Sequence, residues 1–165
     1  MFCSVSIPVR MAAFLLALVL SAGIARATEP LRVETLLLWG TNDAQSPDPK
    51  HKPVDGDLAK KLGNSPYRWK YYFEVNRKTN SIPAGDTKKN IQMSDHCALD
   101  IKNVGDGHVE VALSGDGKLL SMRKEPLKSD WPLIFSGAAK NDTAWLVVIK
   151  KVDASAPKPD KPAGK

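Results

Sequence analysis

Apolar residues fall into three regimes along the chain. Between Met11 and Leu20 they form one short unbroken run, MAAFLLALVL. Between Leu31 and Val152 they come in short stretches broken by polar residues, and beyond Val152 no large apolar side chain remains. The middle regime predicts strands, because successive side chains of a strand point to opposite faces. LRVETLLLW, from Leu31 to Trp39, begins by alternating and ends continuously apolar, which suits a strand buried on both faces. YRWKYYFEV, from Tyr67 to Val75, has period two. Its expected apolar face holds Tyr67, Trp69, Tyr71, Phe73 and Val75; its charged face holds Arg68, Lys70, Tyr72 and Glu74. Between these strands Pro47, Pro49 and Pro53 exclude regular structure by removing backbone donors. GDLAKKLG then predicts one short helix, capped by Asp55 or Asp57, with Gly63 left-handed after its end.

Further along, NRKTNSIPAGDT reads as a loop and Lys89 to Met93 as a short edge strand. CALDIKNV, HVEVALS and KLLSMRK are joined by Gly-Asp-Gly, a hairpin signature because tight turns need positive φ. Residues 97–124 therefore predict a three-stranded meander with Leu99, Ile101, Val109, Val111 and Leu113 on its buried face. WPLIFSG and TAWLVVIKKV form a last pair, and Trp145 to Ile149 is apolar enough for a central strand. No internal repeat is evident. The fold class expected is all-β, mainly antiparallel: a β-sandwich or small barrel with one short helix.

The two ends read differently from the middle. Arg10, the apolar run and the small residues SAGIARA are the three parts of a secretory signal, with Ala25 and Ala27 fitting the A-x-A cut. The run is shorter than the roughly 20 residues that span a bilayer as a helix. Ile24 stands where a lipoprotein would carry its cysteine. The organisation expected is a signal peptide over 1–27, one β-rich domain over 28–152 and a disordered Pro/Lys tail over 153–165. The protein is then exported, periplasmic or extracellular, with no stable membrane span after cleavage.

Charge changes the picture once it is divided this way. The whole chain carries 24 basic and 18 acidic residues. Residues 28–149 hold 17 basic and 16 acidic residues, a net charge of +1, and residues 150–165 carry +3. The basic excess thus belongs to the tail, which argues against a nucleic-acid partner, where one face should carry the charge. After cleavage Cys97 is the one cysteine left, so no internal disulfide can form; its place beside alternating apolar residues predicts a buried, inert thiol.

The segments LLLWGTND, DPKHKPVDGDLAKKL, YRWKYYFEVNRK, MSDHC and NDTAWLVVIKK together resemble a family of small exported bacterial proteins of unknown function. The resemblance spans most of residues 31–151. It implies bacterial export and a compact β domain, and it assigns no activity, ligand or site residue.

Candidate chemistry is sparse. In Ser94-Asp95-His96-Cys97 a strand would point His96 and Cys97 to opposite faces, so the imidazole could not activate its neighbour. His51, His96 and His108 match no zinc spacing, and Asp43, Asp48, Asp55 and Asp57 lack the order of a calcium loop. No phosphate loop, nucleophile elbow or H-E-x-x-H helix occurs, and Asn141-Asp142-Thr143 would matter as a glycosylation site only in a eukaryote. No catalytic residue, metal or cofactor is therefore expected. Aromatic residues remain. Trp39, Trp69, Tyr71 and Trp145 lie on apolar faces and are expected in the core. Tyr72 lies among charges, and Trp131 follows Lys128-Ser129-Asp130 in a loop before Pro132. Trp131 and Tyr72 are the expected ligand-binding residues, since exposed aromatics with a polar rim concentrate contact energy.

The function expected is an exported binding or structural module of the bacterial envelope, with an envelope protein or polysaccharide as partner. The alternatives are an accessory subunit of a surface or secretion assembly, and an envelope enzyme with an unrecognised site. The exported protein should begin at Thr28. Mass measurement of the secreted form checks this; a mature chain still beginning at Met1 contradicts it.

Overall fold

The structure is a computed structural model that describes residues 29–54, 56–64 and 66–152. The signal-peptide and tail assignments lie outside these residues, as does the Asp55 cap. Among the described residues the chain forms β1 (Leu31–Thr41), β2 (Lys52–Pro53), α1 (Gly56–Gly63), β3 (Tyr71–Ile82), β4 (Thr87–Ser94), β5 (Cys97–Gly105), β6 (His108–Gly115), β7 (Lys118–Pro126), β8 (Leu133–Ala138) and β9 (Ala144–Lys151). All pairings are antiparallel. One sheet has the order β2-β3-β1-β9-β8 and the other β4-β5-β6-β7. The fold is an all-β sandwich with one short helix. No helix among the described residues is long and apolar enough to cross a membrane.

Alternation builds the core. Leu31, Val33 and Leu37 of β1, with Val147 and Ile149 of β9, face Leu99, Ile101, Val109, Val111 and Leu113 of the smaller sheet. The opposite face of the larger sheet carries a second, smaller apolar cluster. Leu36, Leu38, Leu146 and Val148 are buried there beneath Leu62 of α1, with Val54, Leu58, Tyr67 and Trp69 packed around them. The segment between β1 and β3 is thus a strap laid across the sheet. The continuous apolar ends of β1 and β9 have this cause: both of their faces are covered.

The meander appears where expected, with β4 added at its edge. Both of its tight turns use Asp-Gly at positive φ, 51° and 74° at Asp106-Gly107 and 49° and 74° at Asp116-Gly117. Such two-residue turns match the right-handed twist of the strands they join.

The second strand departs from its sequence pattern. It begins at Tyr71, not Tyr67, and runs through the expected loop to Ile82. Leu37 pairs with Asn76 and Leu38 with Glu74, so Val75 is an extra residue. This bulge reverses the alternation on its N-terminal side. Tyr72 therefore pairs with Gly40 and is buried on the strap-covered face, 7% exposed, while Tyr71 is 42% exposed. The outward ring expected for Tyr72 is corrected because the strap covers its face, and the inward ring expected for Tyr71 is corrected at the strand's first residue, although Phe73 on the same face is buried. Gly63 also differs: it lies inside α1 with ordinary φ, and the bond from Asn64 N to Lys60 O closes the helix.

Trp145 lies across Gly137, its partner on β8, and a Cβ at Gly137 would overlap the indole ring. Gly137→Ala should therefore lower stability by about 1–3 kcal/mol, the usual cost of overpacking. Denaturant titration measures it. A midpoint equal to the parent's would show that Trp145 moves aside freely.

Candidate functional site

Two strand edges, those of β7 and β8, face each other without pairing, since β7 pairs with β6 and β8 with β9. The link between them is pinned at both ends. Leu127 is buried and its N–H donates to Gly107 O at 2.8 Å, and Pro132 is buried at the other end. Lys128 to Trp131 are pushed out as a consequence, all four exposed. Lys61 of α1 holds this loop by donating to Asp130 O. Trp131 is left 52% exposed.

Beneath Trp131 lies an open cleft of about 490 Å³, bordered by Tyr67, Arg123, Glu125, Lys128 and Ile134. Arg123 stands opposite Val111 on the inward face of β7, and its guanidinium lies 4.9 Å from the centre of the Phe135 ring of β8. A cation over an aromatic face thus bridges the unpaired seam. Burial pushes the Tyr67 phenol above its ordinary range, against the opposing influence of Arg123 and a bond with Ser136. The cleft offers two aromatic rings, two cationic groups and one carboxylate. Its lining includes no cysteine, histidine or serine. This arrangement suits contact with a ligand that carries a flat apolar surface and an anionic group.

The other expected site residue lies elsewhere. Tyr72 is packed against Gly40 and Trp69 in the strap-covered core and lines no part of the Trp131 cleft. Its hydroxyl is buried without a well-formed hydrogen bond among the described residues, and burial pushes its pKa up. Of the aromatics expected in the core, Trp39, Trp69 and Trp145 are half-buried and Tyr71 is exposed.

The reactive side chains do not converge. His51 meets Ser46 at 2.7 Å in the strap, and His108 approaches Asp106 O at 3.1 Å. His96 pairs with Asp116 at 2.6 Å across a fully solvated turn; that bond raises the pKa of the imidazole and turns it toward Asp116. Cys97 is half-buried, not fully buried as expected, and its thiol is pushed up by desolvation. Asp48 accepts from Lys50 N at 2.8 Å, and Asp57 lies 3.9 Å from Lys60. No group of three His, Cys, Asp or Glu side chains among the described residues is placed to hold a metal ion.

Sequence reasoning missed an ion-pair network on the strap-side face of the larger sheet. Arg77 bonds Glu34 at 2.8 Å and Glu74 at 2.5 Å, and Lys150 bonds Glu34 at 2.7 Å. Partial burial raises the Glu34 pKa, but Lys150 and Arg77 outweigh it and hold the carboxyl below its ordinary range. The network ties β1, β3 and β9 together where the strap leaves their edge.

Compared with protein-family models, curated proteins and solved structures, the chain matches none of them.

The burial of Tyr72 separates a core role from a contact role. Tyr72→Ala should cost about 3–5 kcal/mol, as for other buried aromatic rings. Tyr72→Phe should leave stability unchanged or raise it, because it removes a buried hydroxyl that lacks a good partner. Thermal unfolding of both variants checks this, and a marked loss in Tyr72→Phe would contradict it.

Proposed function

We propose that this protein is an exported, non-enzymatic binding module of the bacterial envelope that holds an anionic partner in the β7–β8 cleft. The observation that carries the reading is Trp131, half-exposed beside Arg123 and Lys128 in a cleft of about 490 Å³. An indole held open to water by a pinned loop, rather than folded into the core, is poised for contact. Arg123 and Lys128 supply the charge that would orient a carboxylate or phosphate. Export is supported by the order of charge, apolar run and small residues over 10–27.

A second reading, assembly with another protein, is favoured by one observation. Leu119, Leu120 and Met122 of β7 are each more than half exposed on a strand with an unpaired edge. Open edges accept a further strand, although Lys118, Arg123 and Lys124 on β7 oppose nonspecific pairing.

Mature protein immobilised and exposed to envelope extract tests both readings. Trp131→Ala should weaken capture by about 1–3 kcal/mol, and added salt should weaken it further. Met122→Glu should leave capture unchanged. Normal capture by Trp131→Ala contradicts the cleft, and loss in Met122→Glu alone would transfer the role to the β7 edge.

A further inference from the structure

At the other end of β8, β1 and β9 bring two tryptophans side by side. Trp39 and Trp145 are paired partners on β1 and β9, both half-buried. The start of the strap and the β8–β9 turn lie beside Trp39 and border an open cleft of about 650 Å³. Asp43, Gln45 and Asn141 line it together with Trp39.

Its rim is held in shape by Asp142. Trp69 Nε1 donates to Asp142 O at 2.8 Å, Arg68 to Oδ1 at 3.2 Å and Asn42 Nδ2 to Oδ2 at 3.4 Å. Asn42 Oδ1 in turn accepts from Lys70 N at 3.2 Å. These bonds fix a turn in which Asn141 and Asp142 both take positive φ, 59° and 54°. Non-glycine residues hold that conformation only when their surroundings over-determine it. The turn sets Asn141 at the mouth of the cleft.

The polar groups of the lining divide in two. Thr41 Oγ1 accepts from Asp43 N at 3.1 Å, and Thr143 Oγ1 donates to Lys140 O at 2.6 Å, so both hydroxyls are engaged in holding the walls. The Asp43 carboxylate and the Gln45 and Asn141 carboxamides make no hydrogen bond or ion pair with another described residue. They are presented to solvent around an indole. No lysine or arginine lines the cleft, in contrast to the Trp131 cleft.

We infer that the cleft beside Trp39 is a second binding site, for the ring of an uncharged sugar. A pyranose presents an apolar face of C–H groups that stacks on an indole, and an equatorial belt of hydroxyls. A carboxylate accepts two of those hydroxyls, and carboxamides both donate and accept. The absence of a cation at the lining favours an uncharged ring over an acidic one. The site is independent of the Trp131 cleft and takes a different ligand.

Soluble hexamers of β-1,4-linked glucose and of β-1,4-linked N-acetylglucosamine, titrated into the mature protein, test it by tryptophan fluorescence. At least one should give a saturable change. Trp39→Ala should abolish it. Asp43→Ala, an exposed change that leaves the thermal midpoint in place, should weaken it at least fivefold. Trp131→Ala should bind the hexamer as the parent does. The inference is overturned if neither hexamer binds at millimolar concentration, if Asp43→Ala binds normally, or if Trp131→Ala loses binding equally.

Discussion

The structure depends on a sheet that is apolar on both faces. Along β9, Leu146, Val147, Val148 and Ile149 are all buried, yet they point alternately to opposite sides. β1 imposes the same demand through Val33 and Leu37 on one side and Leu36 and Leu38 on the other. Fully burying one such side chain is worth about 1.5–3 kcal/mol, so neither face can be left in water. The smaller sheet covers one face. The strap between β1 and β3 must cover the other, and Leu62 of α1, fully buried with Leu58 packed beside the same cluster, is its anchor.

That covering arrangement sets where the surface is open. The strap reaches the seam between β7 and β8 with Tyr67, and it reaches the far end of the sheet with residues 43–47. Each cleft forms where the strap meets the rim of the larger sheet, and each is lined by one indole. Their linings differ because one border runs along β7, which brings Arg123, whereas the other meets the β8–β9 turn, which brings Asn141.

Much of the sandwich was legible in the sequence because burial in a strand has period two, and glycine next to aspartate marks its turns. Leu99, Ile101, Val109, Val111 and Leu113 are buried as the alternation requires. The faces of β3 were misread because Arg68, Lys70 and Glu74 beside Tyr72 suggest a side open to water, whereas the strap covers that side at Tyr72. The bulge at Val75, which puts Tyr72 and Ile82 on opposite faces, has no glycine or proline in the local sequence to announce it. The loop expected after Val75 is strand because Asn76 to Ile82 lie along β1, a long-range pairing that local composition does not record. The exposure of Trp131 was legible through its polar neighbours and the following proline. The Asp142 knot was not, since Asn42, Arg68 and Asp142 are brought together only by the topology.

The central claim is that the open indoles at the two strap borders are contact surfaces and that the remaining ones are structural. Four tryptophans give four indole N–H signals in a nitrogen–proton correlation spectrum of the mature protein. An anionic envelope polysaccharide and a soluble hexamer of β-1,4-linked glucose or N-acetylglucosamine should be added stepwise to separate samples. The anionic polymer should move the Trp131 signal and a neutral hexamer the Trp39 signal, while Trp69, bonded to Asp142, stays in place with either. Trp131 and Trp39 signals that stay fixed at saturating ligand, or a response confined to Trp69, would overturn this reading.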